Sequence, residues 1–236
     1  MKINSSKVKS FWDSQAAKAR KIPLESVANL EENSELLNLK IDAENKKVFN
    51  RLSFLNADSE VLDLGSGAGQ WAFRFSRIVK NVTAVEYSSE MQKLAVDKSN
   101  EDGIDNVKYI CCSAQNYQED KLYDLIWISG LLIYLNDEEC LQLLNNCNSM
   151  LKPDGLILLR DATGMQGNYE IVDKYSEQLD ANYSAVYRTR EEYIKIFYDS
   201  ELALDYDEDM FQQGSPLNKW QETRLRLYGF SKNAEK

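Results

Sequence analysis

An α/β fold, a doubly wound and mostly parallel sheet with helices on both faces, is what this sequence predicts. Three observations point to it. Short apolar runs recur at Glu60–Leu64, Asn81–Glu86, Val107–Cys112, Tyr123–Ser129 and Leu156–Arg160. Helical spacing of apolar residues fills most of the gaps between them. Glycines stand at alternate positions after the first run, Gly65, Gly67 and Gly69, where a strand must turn tightly into a helix. Strands that alternate with helices pack as a parallel sheet covered on both sides.

The elements follow in order. Residues 1–58 read as helices: Val8, Phe11 and Trp12 fall at i, i+3, i+4, and Leu36, Leu37, Ile41, Val48, Leu52 and Leu55 keep a similar spacing. Ile22-Pro23 and the polar stretch near Glu31–Ser34 mark loops. Helices are expected over Trp71–Val79, Ser88–Asn100 and Asn136–Leu151, the last opened by a capping box of Asn136 and Glu139. Lys152-Pro-Asp-Gly155 reads as a turn into the fifth strand. Beyond Asp161 the rhythm breaks. Residues 162–188 hold Gly164, Gly167 and four tyrosines, Tyr169, Tyr175, Tyr183 and Tyr187. A second capping box, Thr189 to Glu192, opens a helix to Tyr198, and strands near Leu202–Tyr206 and Leu225–Phe230 join the same sheet, making seven.

Composition narrows the function. At 236 residues, 43% apolar and 28% charged, the chain can bury a sizeable core without staples. Its net charge of −10 repels phosphate backbones and anionic lipid headgroups, so neither nucleic acid nor a membrane is an expected partner. The longest apolar stretch, Leu125–Leu135, is too short to span a bilayer, and the opening MKINSSKVKS has no signal-like apolar run. Four cysteines (Cys111, Cys112, Cys140 and Cys147), no CxxC pair and no histidine argue against a metal site. They read as buried small hydrophobes in a reducing compartment, which places the chain in the cytoplasm.

The segment Val61–Gly69 carries the most information. In a dinucleotide fingerprint a third glycine stands three after the second, to admit pyrophosphate; here that position is Gln70. Asp63, two before the first glycine, would repel pyrophosphate but can organise a ligand bearing an ammonium group. S-Adenosylmethionine bears one, with a sulfonium and no phosphate. Glu86, ending the second strand, can grip both ribose hydroxyls at the rim where open α/β sheets bind ligands. The expected crevice lies between strands one and two.

On VLDLGSGAGQW (61–71), TAVEYSSEM (83–91), CCSAQNY (111–117), YDLIWISGLLIYL (123–135) and LKPDGLILLRD (151–161), the chain resembles the class I S-adenosylmethionine-dependent methyltransferases from Glu60 to Phe230. The resemblance implies a seven-stranded sheet with an antiparallel last strand, and a helical cap, residues 1–58, before a cofactor-binding domain, residues 59–236, with an acceptor-side insertion at 162–188. It implies that Gly65, Ser66 and Gly67 line the methionine end, that Tyr87 and Met91 flank the adenine, that Ser113, Ala114 and Gln115 meet its edge, and that Ser129 lies under the methionine. It also implies a lid, for which Phe11, Trp12 and Arg20 are candidates.

Methyl transfer chiefly requires holding the nucleophile near the methyl carbon. A hydroxyl acceptor further needs a base, and with no histidine only Asp, Glu, Tyr, Lys, Cys or water can serve. Asp161, after the fifth strand, is the best-placed carboxylate, and Tyr134 the second candidate. Arg160 and Arg188 are candidates to hold an anionic acceptor group, and Tyr187 with its neighbours forms an aromatic wall suited to a small polar molecule, a sugar or an amine. Residues 108–167 are also similar to the protein α-N-terminal methyltransferases, with Asp161 matching that family's acidic residue. Gly130 and Tyr134 depart from it, standing where that family has tryptophan and a catalytic histidine, so protein amines are the minority expectation. Whether O or N is methylated stays open, as does a monomer or a homodimer. A nicotinamide-dependent oxidoreductase and a non-catalytic binding module are the competing classes.

Overall fold

The computed structural model describes residues 2–19, 33–176 and 181–233. Seven strands form one sheet in the order β3-β2-β1-β4-β5-β9-β8. These are β1 (Glu60–Leu64), β2 (Asn81–Glu86), β3 (Val107–Cys111), β4 (Tyr123–Ser129), β5 (Leu151–Gly164), β8 (Leu202–Asp209) and β9 (Thr223–Lys232). The first five run parallel, and β9 is antiparallel to both β5 and β8. The expected seven-stranded, mostly parallel sheet is therefore present.

Alternation along the strands assigns the two faces. In β4, Tyr123, Ile126 and Ile128 join one core cluster, while Leu125 and Trp127 join the other. The first face is covered by α5 (Asp137–Met150) and α6 (Arg190–Asp199), whose Leu143, Leu144, Cys147, Tyr193 and Phe197 are fully buried. The second face is covered by α2 (Ser34–Asn50) and α3 (Gln70–Ser76) through Val48, Trp71 and Phe75, with Trp71 and Trp127 4.5 Å apart between ring centroids. Each such side chain contributes about 1.5–3 kcal/mol by leaving water. Both capping boxes form: Asn136 N–H donates to Glu139 at 2.8 Å, and Thr189 N–H to Glu192 at 2.9 Å. The remaining helices are α1 (Ser5–Ala19) and α4 (Ser89–Asp102). No helix among the described residues is long and apolar enough to cross a membrane.

Four expectations are corrected. The helix expected over Trp71–Val79 ends at Ser76. The Lys152–Gly155 turn lies inside β5 as a bulge: Tyr123 pairs with Leu151 and Leu125 with Leu156, so the extra residues, Pro153 included, bow out between two registers. The stretch after Asp161 is not irregular. β5 runs on to Gly164, and β6 (Tyr169–Ser176) pairs antiparallel with β7 (Ala181–Tyr187) as a separate hairpin. Finally, Cys140 and Cys147 are buried as expected, but Cys111 is exposed and Cys112 only partly covered, because β3 is the sheet's edge.

Candidate functional site

Chain order reverses between β1 and β4, the place where an open α/β sheet gapes at its carboxyl ends. A cavity of about 430 Å³ lies there, within the usual range for ligand pockets. It extends over the tips of β1, β2, β4 and β5, so the crevice is wider than one between the first two strands. α1, α2, the hairpin and the loop before β9 supply its other walls.

The glycine turn is pinned to the neighbouring strand. Gly65 and Ser66 N–H both donate to the Val85 carbonyl, at 2.9 and 3.0 Å. Gly67 has φ of +55°, and a Cβ there would meet no atom within 4 Å, so its backbone faces open space. Its N–H donates to Glu86 Oε2 at 2.8 Å, while Ser88 N–H donates to Oε1 at 2.7 Å. An ionised carboxylate offers about four lone-pair sites, so Glu86 keeps capacity for a diol. Burial, the largest cause, pushes the Glu86 carboxyl up, and these two N–H groups pull it back.

Asp63 is held differently. It is 1% exposed, accepts from Ala72 N–H, and its Oδ2 has no hydrogen-bond partner among the described residues. Burial and the negative charge of Glu86 push its carboxyl up to about 8. The unfolded chain loses that proton near pH 4, so this group costs stability that grows as pH rises from about 4 to about 8. Asp63→Asn, which cannot ionise, should therefore stabilise the fold more at pH 8 than at pH 5, by on the order of 3 kcal/mol, and so raise Tm more at pH 8. Thermal melts at both pH values check this; equal shifts would count against it.

The residues expected to meet the adenine all line the cavity. Tyr87, buried Met91, Ser113, Ala114 and Gln115 are among its lining residues, as are Ser66 and Ser129. Ser66 Oγ, like Asp63 Oδ2, is buried with no partner among the described residues. A carboxyl and a hydroxyl held this way, beside an open glycine backbone and a Glu86 carboxylate with acceptor capacity to spare, fit a cationic adenosine compound.

Asp161, on β5, also lines the cavity. This residue is fully buried, its Oδ1 accepts from Ala162 N–H at 3.0 Å, and Oδ2 has no partner among the described residues. Burial pushes its carboxyl up to about 7, against the pull of two backbone N–H groups, Arg188 and Arg160. Tyr134 sits across from the hairpin. Its hydroxyl lies 3.3 Å from that of Tyr183, which lies 3.1 Å from that of Tyr187. Burial pushes all three phenols up, so they stay neutral. Trp12 closes the wall, edge-on to Tyr134 at 5.6 Å, and Phe11 meets Tyr183 at 5.7 Å.

The two arginines part ways. Arg160 reaches the cavity, but its Nη1 donates to Ser129 Oγ at 3.1 Å and its Nη2 to Glu44 at 2.5 Å, so Glu44 already meets its charge. Arg188 does not line the cavity at all. It is 2% exposed and its guanidinium is spent on Leu132, Leu135 and Asp137, which corrects the expectation that it touches the acceptor. Arg20 lies outside the described residues.

Other participants left no readable motif. Asp13 accepts from Ser88 Oγ at 2.5 Å and pairs with Lys9 at 2.7 Å, tying α1 to the turn after Glu86. Tyr183 was visible only as one tyrosine among four. Glu44 reaches the cavity from α2, where no motif marks it, and Phe211, Leu217 and Trp220 reach it from a polar stretch without periodicity.

The family profile described as "Methyltransferase domain" matches residues 61–155. The chain is 33% identical over 109 residues to the N-terminal Xaa-Pro-Lys N-methyltransferase 1-B of Xenopus laevis, covering 45% of this chain and 49% of that one. It is 34% identical over 106 residues to the alpha N-terminal protein methyltransferase 1 of Dictyostelium discoideum, covering 42% and 38%. The chain thus spans about half or less of the curated relatives it matches. Among solved structures, the phosphoethanolamine N-methyltransferase 1 of Haemonchus contortus superposes with a TM-score of 0.71 at 17% identity, over 97% of this chain and 50% of that one. The 1,6-didemethyltoxoflavin-N1-methyltransferase of Burkholderia thailandensis gives 0.70 at 15%, over 97% and 88%. At such identities the superpositions establish a shared fold.

Proposed function

We propose that this chain, which carries a class I S-adenosylmethionine-dependent methyltransferase domain, transfers a methyl group to an amine nitrogen of a polar acceptor lodged at the Asp161 end of the cavity. The observation that carries the amine is Asp161 itself: a fully buried carboxylate with one unpartnered oxygen among the described residues, faced by three neutral phenols and an indole. A carboxylate inside aromatic walls is the surrounding in which an ammonium group is held.

S-Adenosylmethionine, when bound, supplies a methyl group already activated by the sulfonium. Glu86 holds its ribose, the Gly65–Gly67 turn and Ser129 its methionine end, Asp63 its ammonium, and Tyr87, Met91 and Ser113–Gln115 its adenine. The rest falls to the acceptor side. An ammonium nitrogen must lose a proton before its lone pair can attack, and Asp161 takes it as general base. Tyr134, Tyr183 and Trp12 hold the nitrogen in line and keep water away, which supplies much of the rate. With neutral tyrosines around it, Asp161 meets no competing anion on that wall.

The activities for which these relatives are named favour one particular amine, the α-amino group of a protein N-terminus. The match covers the sheet core rather than the whole chain, so a small amine and a peptide terminus are both tested. Transfer of labelled methyl to a panel of small amines, their hydroxyl isosteres and an Xaa-Pro-Lys peptide decides among them. Methylation of an amine but not its matched alcohol is expected. Turnover of alcohols alone would overturn the amine, and cofactor binding without any turnover would indicate a binding module.

A further inference from the structure

Tyr134 stands on a short segment between β4 and α5 whose only regular structure is one 3-10 turn, Leu132–Tyr134. That turn is held from elsewhere in the chain. Arg188, at the junction of β7 and α6, is 2% exposed. Its Nη1 donates to the Leu132 carbonyl at 2.8 Å and its Nη2 to the Leu135 carbonyl at 2.7 Å, the two carbonyls that bracket Tyr134. Nε and Nη2 both donate to Asp137 Oδ1, at 3.0 and 2.7 Å. The backbone of the same residue binds the third segment: its carbonyl accepts from Gly164 N–H at 2.8 Å, three residues past Asp161.

We propose that Arg188 is the positioning residue of the acceptor end, joining the Tyr134 turn, the end of β5 and the root of the hairpin so that Tyr134, Asp161, Tyr183 and Tyr187 converge. The inference rests on the reading of Asp161 and Tyr134 as the acceptor site. Arg188 acts through them, since it does not line the cavity. Its planar fork matters: two diverging carbonyls and a carboxylate are reached by nitrogens in fixed directions, which a lysine ammonium cannot reproduce. Its charge matters separately, because it favours the ionised form of Asp161. The other groups around Asp161 are Arg160 of its own strand, Tyr134, Tyr183 and Tyr187 across the cavity, Tyr193 on α6, Tyr228 on β9 and Cys140 on α5. Arg160 is paired with Glu44 as Arg188 is with Asp137, the remaining neighbours are neutral, and of the two arginines Arg188 exerts the larger pull on Asp161.

Two substitutions in the full chain separate fork from charge. Arg188→Met removes both; Arg188→Lys keeps the charge and loses the fork. The Asp161 titration is followed by carboxyl-carbon NMR with Asp161→Asn for assignment, without any acceptor. Arg188→Met is expected to move that titration up by about one pH unit or more, and Arg188→Lys to leave it within a few tenths. With an amine acceptor, Arg188→Lys is expected to lower kcat about ten- to a hundredfold while S-adenosylmethionine affinity stays within about twofold. An unmoved titration in Arg188→Met, or a wild-type kcat in Arg188→Lys, would overturn the proposal. If Arg188→Met fails to fold by circular dichroism, Arg188→Lys with Arg188→Gln supplies the same contrast. Failure of the amine reading shows instead as no turnover in the wild type, with the titration still deciding on Arg188.

Discussion

Glu86→Ala should weaken S-adenosylmethionine binding by about 3 kcal/mol, more than a hundredfold, as measured by calorimetry at pH 7.5. Two losses combine. The ribose loses the charge-assisted acceptor that takes both of its hydroxyls. The Gly67 and Ser88 N–H groups lose theirs, at 2.8 and 2.7 Å, so the glycine turn is freed as well. Glu86→Gln separates these contributions. It keeps the shape and one acceptor oxygen while removing the charge, so its affinity should fall between wild type and alanine. An alanine variant that binds as tightly as wild type would mean the ribose lies elsewhere, and the placement of the whole cofactor in this cavity would have to be given up.

Asp161→Asn should lower kcat by about 10²- to 10⁴-fold, the contribution typical of a positioned base, and leave S-adenosylmethionine affinity nearly unchanged. The two effects differ because Asp161 lies at the end proposed for the acceptor, while the residues proposed to hold the cofactor lie on β1, β2 and the segment after β3, with Ser129 at the end of β4. A pH dependence follows with a definite sign. The Asp161 carboxyl is pushed up to about 7, chiefly by burial, and the working form is the carboxylate. Wild-type kcat should therefore rise with pH through about 7 and level off above it, and that limb should vanish in Asp161→Asn. A wild-type profile flat from pH 6 to 8, or an asparagine variant within threefold of wild type, would remove Asp161 from the role.

These two carboxylates were legible in the sequence for different reasons. Glu86 ends a β-branched strand, and the end of a parallel strand is a ligand rim in any open α/β sheet. Asp161 follows the four apolar residues Leu156–Leu159 and Arg160 of β5, so its place at the rim could be counted. What could not be counted was the hairpin. β6 reads Tyr-Glu-Ile-Val-Asp-Lys-Tyr-Ser, and its pairing shifts register between Ile171 and Lys174, where Asp173 has φ of +50°. A bulge of that kind breaks the period of two on which strand reading depends. The tyrosines of 162–188 were therefore seen as composition, and their hydroxyl chain to Tyr134 was not. Arg188 shows the opposite error. A basic residue beside an acceptor wall suggested an anion site, yet burial turned it inward, where unsatisfied carbonyls compete for its donors more strongly than any exposed ligand.

Local spacing was enough for the sheet, its two covered faces, the capped helices and the glycine turn beside its two carboxylates. Each of these depends on neighbours a few residues apart, where backbone geometry ties position in the chain to direction in space. The Asp161 end of the cavity was decided by the tertiary fold. Trp12, Glu44, Tyr134, Asp161 and Tyr183 come from five separate segments, and no spacing relates them. They meet because packing on both faces of the sheet sets where α1, α2 and the hairpin come to rest. In the dry interior so formed, a carboxyl holds its proton to about pH 7 where the same side chain in water would lose it near 4.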